Sequence, residues 1–382
     1  MQQSHRPLWP QILVSLMLTA LATGAVLRWT WQEGSWRALQ SFDLRWLLAA
    51  LALVLAAWVA DVARLQAMGR ALGYRIPARV ALQTNLMGYF LAAVTPFTVG
   101  GGPLQIFSLF RAGLPAGHAA AVVMGSGFIA HLSLAWLGMA LVFGFGLTIS
   151  ADPRLNDIVR WLLLAYTIGL MILTWLLWHV ERGRRLIGAL ARGVLGLFGH
   201  RQRAAARAAA VERAVAEMGQ GLRALAGRHA AWALAAAAAY QLYFLAWFST
   251  VPALAAGLGA RPPYWHVVAV QVPIYLLGSI IPTPGGSGGL ELGMAGGLLG
   301  HVPDYEIGIV VAAWRVLTYY LVLAVGGLAV FNFARGNVGQ GAAPVGGGVS
   351  QGAPPPGAPA PRRPLRAGSE TAPVPPMSPD LD

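Results

Sequence analysis

Long apolar runs separated by short arginine-rich loops dominate the pattern of this chain. The first run, Leu8 to Leu27, carries no charged residue over 20 positions, which is enough to cross a hydrocarbon core of about 30 Å. Five further runs have a similar length. The pattern therefore predicts six membrane-spanning helices, at residues 8–27, 47–67, 118–147, 158–180, 230–254 and 307–333.

The first run has a competing interpretation as a cleaved signal peptide. It follows Arg6, and the stretch from Ala20 to Ala25 weakly resembles a cleavage site. We favour a retained first span, because the apolar run is longer than the usual core of a signal peptide.

Two more apolar regions are interrupted by proline and glycine. They are VTPFTVGGGPLQ at Val94 to Gln105 and IPTPGGSGGLE at Ile281 to Glu291. A shift of 186 positions brings Pro96 onto Pro282 and the last residues of the two stretches onto each other. Broken backbone is tolerated in a bilayer where it is buried in protein or lines a wet cavity, and paired breaks are typical of transport sites. Chance alignment is the alternative in a chain with 47 glycines.

Arginine-rich loops set the orientation of the spans. The loop from Arg64 to Arg79 and the segment from Glu181 to His229 are both rich in arginine, which places them in the cytoplasm. The first break then opens to the cytoplasm and the second to the outside, with both termini cytoplasmic. We therefore expect an all-α polytopic membrane protein of about six full spans plus two re-entrant helical hairpins, arranged as inverted repeats.

We expect residues 1–335 to form one membrane domain. Two segments differ from the rest in composition: residues 181–229 within this domain and residues 336–382 after it. Residues 181–229 carry ten arginines and three acids, with an apolar stripe from Val211 to Leu225. We interpret this segment as amphipathic helices at the cytoplasmic surface, or as a helical pair that packs on a partner protein. Residues 336–382 are dominated by proline, glycine and alanine, and we expect a disordered cytoplasmic tail.

Composition excludes several classes of function. Hydrophobic residues make up 57% of the chain and charged residues 11%, against roughly 25% in soluble domains. The net charge of +13 comes from arginine alone, but no basic patch interleaves with aromatic residues on a soluble domain, so nucleic acid is not an expected partner. The chain has no cysteine, which excludes disulfides, thiolate catalysis and cysteine-bound metal.

Each break offers the chemistry of an anion site. A helix that restarts inside the membrane presents unpaired backbone N–H groups and the positive end of its dipole, which suits a phosphate. The glycines let the backbone approach a ligand closely, or they only let helices cross tightly. The candidate residues for binding a lipid headgroup are Pro96, Gly100, Gly101, Gly102, Gln105, Pro282, Pro284, Gly285, Gly286, Gly288, Gly289, Glu291 and Arg315.

Two charges inside the apolar regions need a partner. Glu291 and Arg315 would each cost roughly 2.5–3.5 kcal/mol at the centre of an inserted helix. They form an ion pair with each other, or Arg315 binds a lipid phosphate while Glu291 holds it in place or meets an amine. Gln105 would be the neutral counterpart of Glu291 in the first break. Asp61 lies near the end of the second span, where we expect it to pair with Arg64.

Signals for an enzyme are poor. The chain has no HExxH motif, no P-loop lysine and no soluble region large enough for a catalytic domain. We expect neither enzyme activity, nor a cofactor, nor a metal site.

The residues from Thr95 to Leu114, those from Ile281 to Glu291 and the late Arg315 resemble the lysylphosphatidylglycerol synthetase transmembrane family, also called flippase-like. The resemblance covers roughly Leu8 to Arg335. It implies a polytopic domain that translocates lipid, which in the best-known members is aminoacylated phosphatidylglycerol. Those members also carry a large cytoplasmic aminoacyl-transferase domain, which this chain does not contain, so synthase activity is not implied.

The expected function is therefore that of a lipid flippase or scramblase in a bacterial inner membrane. Its cargo would be an anionic or aminoacylated phospholipid, or a related envelope lipid, moved passively or with an ion. The alternative is a non-transporting membrane scaffold for enzymes of envelope lipid or glycan synthesis, docking through residues 181–229. A membrane enzyme acting on a lipid head is the weakest reading, for want of clustered acids or histidines.

Overall fold

A computed structural model describes residues 9–148, 153–179, 230–278 and 281–336. All regular secondary structure in these ranges is helical. The helices before residue 180 are α1 (Trp9–Thr30), α2 (Glu33–Gln40), α3 (Leu44–Ala71), α4 (Ala78–Val94), α5 (Gly101–Arg111), α6 (Ala116–Met139) and α7 (Pro153–Trp178). Those after residue 229 are α8 (Ala230–Phe248), α9 (Thr250–Gly257), α10 (Tyr264–Gly278), α11 (Gly289–Leu298), α12 (Asp304–Arg315) and α13 (Leu321–Ala334).

Short non-α turns connect some of these helices. A π-helical turn, Ala140–Gly144, extends α6, and another, Val316–Tyr320, joins α12 to α13. The single-turn 3-10 helices Pro96–Thr98 and Pro284–Gly286 precede α5 and α11. We call these two turns, each with the threonine before it, the first and second break.

The six predicted spans are confirmed. The helices long and apolar enough to cross a membrane are Trp9–Thr30, Leu44–Ala71, Ala116–Gly144, Pro153–Trp178, Ala230–Gly257 and Asp304–Ala334. The observed helices extend beyond several of the predicted bounds, because a helix continues past its apolar stretch until a cap stops it. Thus Asp43 accepts a hydrogen bond from the backbone N–H of Arg45 at 3.0 Å and fixes the start of α3 three residues before the predicted one.

Two sets of helices follow each other in matching order. The first set is α3, α4, the first break, α5 and α6, and the second is α8 with α9, α10, the second break, α11 and α12 with α13. Prolines precede α4, α6 and α12, at Pro77, Pro115 and Pro303. Each adopts an extended backbone and leads into the first turn of its helix. The order is the one that inverted repeats require, and the inversion and the re-entrant hairpins stay predictions.

At the two breaks, the register between the sets differs from the shift of 186 that we predicted. Pro96 and Pro284 begin the two 3-10 turns and lie 188 positions apart, as do the first residues of α5 and α11 and of α6 and α12. Pro96 therefore matches Pro284 and not Pro282. The earlier parts of the sets, including the starts of α4 and α10 at Ala78 and Tyr264, are offset by 186, so the second hairpin is two residues longer before its break.

The sets pack around three clusters of buried apolar side chains, of which the largest contains residues of both sets. α8 lies along α3, and α4 lies along α13, so each set contributes helices to the other. The largest buried side chains of this largest cluster include Trp314 and Phe248. α1 packs against α12 and also contacts α4, α11 and the second break. The two breaks contact each other, which brings their chemistry to one place. The predicted amphipathic segment at 181–229 and the tail from residue 337 onward lie outside the described residues.

Candidate functional site

The two breaks have nearly the same backbone. Thr95 and Thr283 are extended, and each is followed by proline. The next residue has a positive φ in both breaks, with φ 55° and ψ 16° at Phe97 and φ 59° and ψ 17° at Gly285. Only glycine adopts this conformation freely, so Phe97 is held there against a steric cost of about 1–2 kcal/mol. The first break therefore carries a steric strain at Phe97 that the second break, with glycine at this position, does not.

Different side chains cap the helices that follow. In the first break the Thr95 hydroxyl accepts a hydrogen bond from the N–H of Gly100 at 3.0 Å. In the second break the N–H of Gly288 donates to the Glu291 carboxylate, at 2.8 Å from Oε2. A carboxylate therefore already occupies the positive end of the α11 dipole, where an anion is stabilised.

Side chains of α1 join the two breaks. The hydroxyl of Ser15 donates to the carbonyl oxygen of Ala93 at the end of α4, at 2.8 Å, and is also hydrogen-bonded to Tyr319. One turn later, Thr19 is hydrogen-bonded to Ser287, the residue that follows the second break. None of the residues that carry these hydroxyls was a candidate from the sequence, since serine and threonine in apolar helices commonly bond their own backbone.

Glu291 and Arg315 form a buried ion pair. Arg315 Nη2 lies 2.8 Å from Glu291 Oε2, and the side chains are 4% and 0% exposed. Arg315 is about four residues, or about 6 Å, before the middle of the span Asp304–Ala334. The ion-pair interpretation of these two residues thus describes this structure. Both charges lie where water is excluded by protein, which makes the pair costly to break.

The ion pair uses only part of the bonding capacity of its two groups. Among the described residues, Arg315 Nε has no hydrogen-bond acceptor, and the Nη2 contact with Glu291 is close without hydrogen-bond geometry. Glu291 Oε1 likewise has no donor in this part of the chain. The guanidinium lies 4.8 Å from the ring centre of Trp314 and 5.6 Å from that of Tyr319. Arg315 therefore keeps N–H groups that could donate hydrogen bonds to an oxyanion.

Gln105 does not match Glu291 in the structure, so our pairing of the two was wrong. Glu291 is the third residue of α11, whereas Gln105 is the fifth residue of α5, and the position that matches Glu291 is Pro103. The Gln105 side chain lies against Gly88 of α4, whose missing Cβ makes room for it. The first break therefore has no polar counterpart of Glu291, because its cap is supplied by Thr95 from before the helix.

The candidate glycines fall into two groups. A Cβ on Gly101 would lie 2.7 Å from the carbonyl oxygen of Gly88, so this glycine permits α4 and α5 to approach closely. Gly102 and Gly288 have open space around the position of a Cβ. The packing interpretation thus fits Gly101, and Gly102 and Gly288 leave backbone open to a ligand.

The remaining candidates lie around the two turns. Pro284 and Gly286 are buried, Gly100 is half-buried, and Pro282 and Gly289 are exposed. Pro282 lies one residue before the second break and makes no part of the 3-10 turn.

A second buried ion pair lies in the first set of helices. Arg64 Nε donates to Asp61 Oδ1 at 2.6 Å, as predicted, and both side chains are 3–4% exposed. The expectation that Asp61 lies near the end of its span was wrong. α3 continues to Ala71, which places Asp61 about four residues, or about 5 Å, from the middle of the helix. Asn85 and Tyr89 of α4 also bind this pair.

Two other features do not belong to the site. A cavity of about 590 Å³ lies between α6, α7 and α8, lined mainly by apolar residues such as Trp136 and Leu234, and it contains none of the candidate residues. Within the described ranges no three His, Asp or Glu side chains are grouped so that they could hold a metal ion.

Comparison with known proteins places the chain in a family. Residues 11–326 match the family model described as the lysylphosphatidylglycerol synthase TM region. The chain is also similar to a UPF0104 membrane protein of Archaeoglobus fulgidus, with 22% identity over 323 residues, which cover 84% of this chain and 94% of that protein. The family model spans α1 to α13 and includes both breaks and both ion pairs. The chain therefore belongs to the family of lysylphosphatidylglycerol synthase transmembrane regions.

Proposed function

We propose that this protein translocates an anionic or aminoacylated phospholipid between the leaflets of a membrane. The observation that carries the proposal is the meeting of the two breaks beside a buried arginine with unused donors. Arg315 pairs with Glu291 of the helix that follows the second break, and the next turn brings Tyr319 against Gly285. Buried N–H donors without an acceptor cost free energy, and the oxygen atoms of a bound ligand would recover that cost.

Glu291 gives the proposal a chemical mechanism. Its carboxylate accepts the N–H of Gly288 and neutralises Arg315, which are the two interactions that a lipid phosphate would make. A phosphate that enters can replace the carboxylate without leaving Arg315 unpaired. The released Glu291 is then free to bind the amine of an aminoacylated headgroup.

The surroundings of the first break suit the remainder of a lipid. Phe97 and Val99 are 47% and 67% exposed, although both are apolar. Exposed apolar side chains in a membrane protein face hydrocarbon at no cost. The acyl tails would stay against these residues while the headgroup enters between the breaks, and relative motion of the two sets of helices would open the site to alternate sides.

The test is a translocation assay in liposomes. Wild-type protein is reconstituted with fluorescent phosphatidylglycerol, and dithionite is added from outside. We expect quenching well beyond half of the label, because inner-leaflet lipid reaches the outer leaflet.

The informative variant removes both charges at once. Glu291→Gln with Arg315→Met leaves no buried charge unpaired, so the fold is retained while the site is lost, and we expect quenching to stop near half. The matched control is Asp157→Asn with Arg160→Met, which removes an exposed pair in α7 whose Nη1 and Oδ1 lie 3.5 Å apart.

Two results would contradict the proposal. Equal activity of the charge-free variant and the wild type would show that Glu291 and Arg315 do not form the headgroup site. If the wild type translocates no lipid in a panel of anionic, aminoacylated and neutral headgroups, the flippase hypothesis is rejected and the membrane-scaffold alternative is favoured.

A further inference from the structure

The buried cluster around Asp61 has more donors than acceptors. Arg64 donates to Asp61 Oδ1 and, through Nη2, to Asn85 Oδ1 at 3.2 Å. Tyr89 donates to the other oxygen, Asp61 Oδ2. Both oxygens of the carboxylate are thus occupied. Within the described residues, Arg64 Nη1 and Asn85 Nδ2 have no acceptor, and both residues are 2–3% exposed.

Unused donors of this kind point to an acceptor in another state of the protein. A buried donor without an acceptor costs free energy, and a buried polar network is favourable only when its members are satisfied. A guanidinium N–H and an amide N–H together fit the oxygens of a phosphate. Intramembrane charges of this kind commonly mark the path of a substrate or a proton.

The cluster lies where the two sets of helices meet. Asp61 and Arg64 are on α3 and Asn85 and Tyr89 on α4, all in the first set, while α8 of the second set covers them. The ring of Tyr240 on α8 lies 4.9 Å from the Arg64 guanidinium carbon, and Tyr243 of α8 is within hydrogen-bonding reach of Tyr89. Movement of one set against the other would therefore uncover this cluster.

A column of aromatic residues leads from the cluster toward the ion pair of Glu291 and Arg315. On α8, Tyr243 stacks on Trp247, whose ring centre is 5.7 Å away. The indole N–H of Trp247 donates to the hydroxyl of Tyr275 on α10. Tyr275 in turn interacts electrostatically with Arg315. Packed aromatic side chains of the second set thus extend from Tyr243, beside the cluster, to Tyr275.

We propose that Asp61, Arg64 and Asn85 form a proton-dependent subsite for the phosphate of the translocated lipid. When α8 withdraws, the lipid phosphate reaches Arg64 Nη1 and Asn85 Nδ2 and becomes a second counter-charge for Arg64. Its negative charge beside the Asp61 carboxylate then favours the uptake of one proton by that carboxylate. One proton and one singly charged headgroup enter together, so the buried charge does not change. This inference rests on the proposed function and adds the proton as the coupled ion.

The test measures protons directly and does not depend on transport. Purified full-length protein in detergent and weak buffer, with a soluble pH indicator, is titrated with short-chain phosphatidylglycerol near pH 6. We expect uptake of about one proton per lipid bound. Inorganic phosphate and short-chain phosphatidylcholine are titrated in parallel. Equal uptake with inorganic phosphate would overturn the assignment to a lipid headgroup.

Three variants locate the proton. Asp61→Asn should bind the lipid with no proton uptake. Tyr89→Phe keeps both charges but removes a donor to the carboxylate, so uptake should persist to higher pH. Glu306→Gln, at a buried carboxylate that begins α12, is the matched control and should behave as wild type.

The outcomes separate this inference from the proposed function. Lipid translocation in liposomes without proton uptake on binding would overturn the proton-dependent subsite and leave the flippase in place. Unchanged uptake in Asp61→Asn would do the same. Absence of both translocation and lipid binding would reject the proposed function, and the subsite with it.

Discussion

At the first break, the oxygen that caps the following helix comes from Thr95, an uncharged side chain that precedes the helix. At the second break it comes from Glu291 inside the helix, and the same carboxylate neutralises Arg315. The backbone angles of the two turns agree within a few degrees at Phe97 and Gly285. A shared backbone thus carries two different chemistries. The first break carries no charge, and the second carries a buried ion pair.

The largest expected effect concerns the side of the membrane that each set faces. Ala116 begins α6, and Pro303 immediately precedes the matching helix α12. Because the chain has no native cysteine, single Ala116→Cys and Pro303→Cys variants report only these positions. We expect a membrane-impermeant thiol reagent to label Pro303→Cys from outside and Ala116→Cys only from the cytoplasmic side. Labelling of both from one side would refute the inverted arrangement.

Removing one member of the Glu291–Arg315 ion pair should cause the largest loss of stability. Arg315→Met leaves Glu291 buried and unpaired, and we expect a loss of about 3–5 kcal/mol, whereas the variant with Glu291→Gln as well should lose much less. Thermal unfolding in detergent measures both. Gln105→Leu at the uncharged break should shift the melting temperature far less than Arg315→Met. Equal losses for the single and double variants would mean that the pair is not the cause.

Matched substitutions at the positive-φ position should have opposite signs. Gly285→Ala brings a Cβ within 2.7 Å of the Tyr319 ring at φ 59°, and we expect a loss of about 1–3 kcal/mol. Phe97→Gly removes the steric cost of the left-handed backbone, and we expect a gain of about 1 kcal/mol or less. The same melting assay checks both. If Gly285→Ala stabilised the protein, the second turn would be able to relax away from the Tyr319 ring and from its positive φ.

The smallest contrast is between the first residues of α5 and α11. Gly101→Ala would place a Cβ 2.7 Å from the backbone oxygen of Gly88, which cannot move alone, so we expect a loss of about 1–3 kcal/mol. Gly289→Ala would meet only the flexible end of Ile281, and the gain in helix propensity of about 1 kcal/mol offsets that contact. Equal melting temperatures for the two variants would show that the contact with the Gly88 carbonyl does not set the cost at Gly101.

The sequence predicts the spans well because an apolar run of about 20 residues is stable in a bilayer only as a membrane-spanning helix. It also predicts that Glu291 and Arg315 need a partner. It does not predict the register of the breaks, because glycine-rich runs align in several ways and carry no side-chain pattern. The repeated Thr-Pro dipeptide, at Thr95 and Thr283, was the available signal. The depth of Asp61 was missed because the end of α3 is set by its caps and by tertiary packing beyond the apolar run.

Helix α1 belongs to neither matching set, yet its hydroxyls bind residues next to both breaks. Ser15 bonds the end of α4, which precedes the first break, and Thr19 bonds Ser287, which follows the second. Any rearrangement that parts the breaks must first release these bonds, each of which stabilises the present arrangement by about 0.5–1.5 kcal/mol. Together they would favour it by about 5- to 150-fold in population. If the protein moves lipid as proposed, its first helix acts as a latch, and the few hydroxyls of that helix set how long the protein dwells between lipid movements.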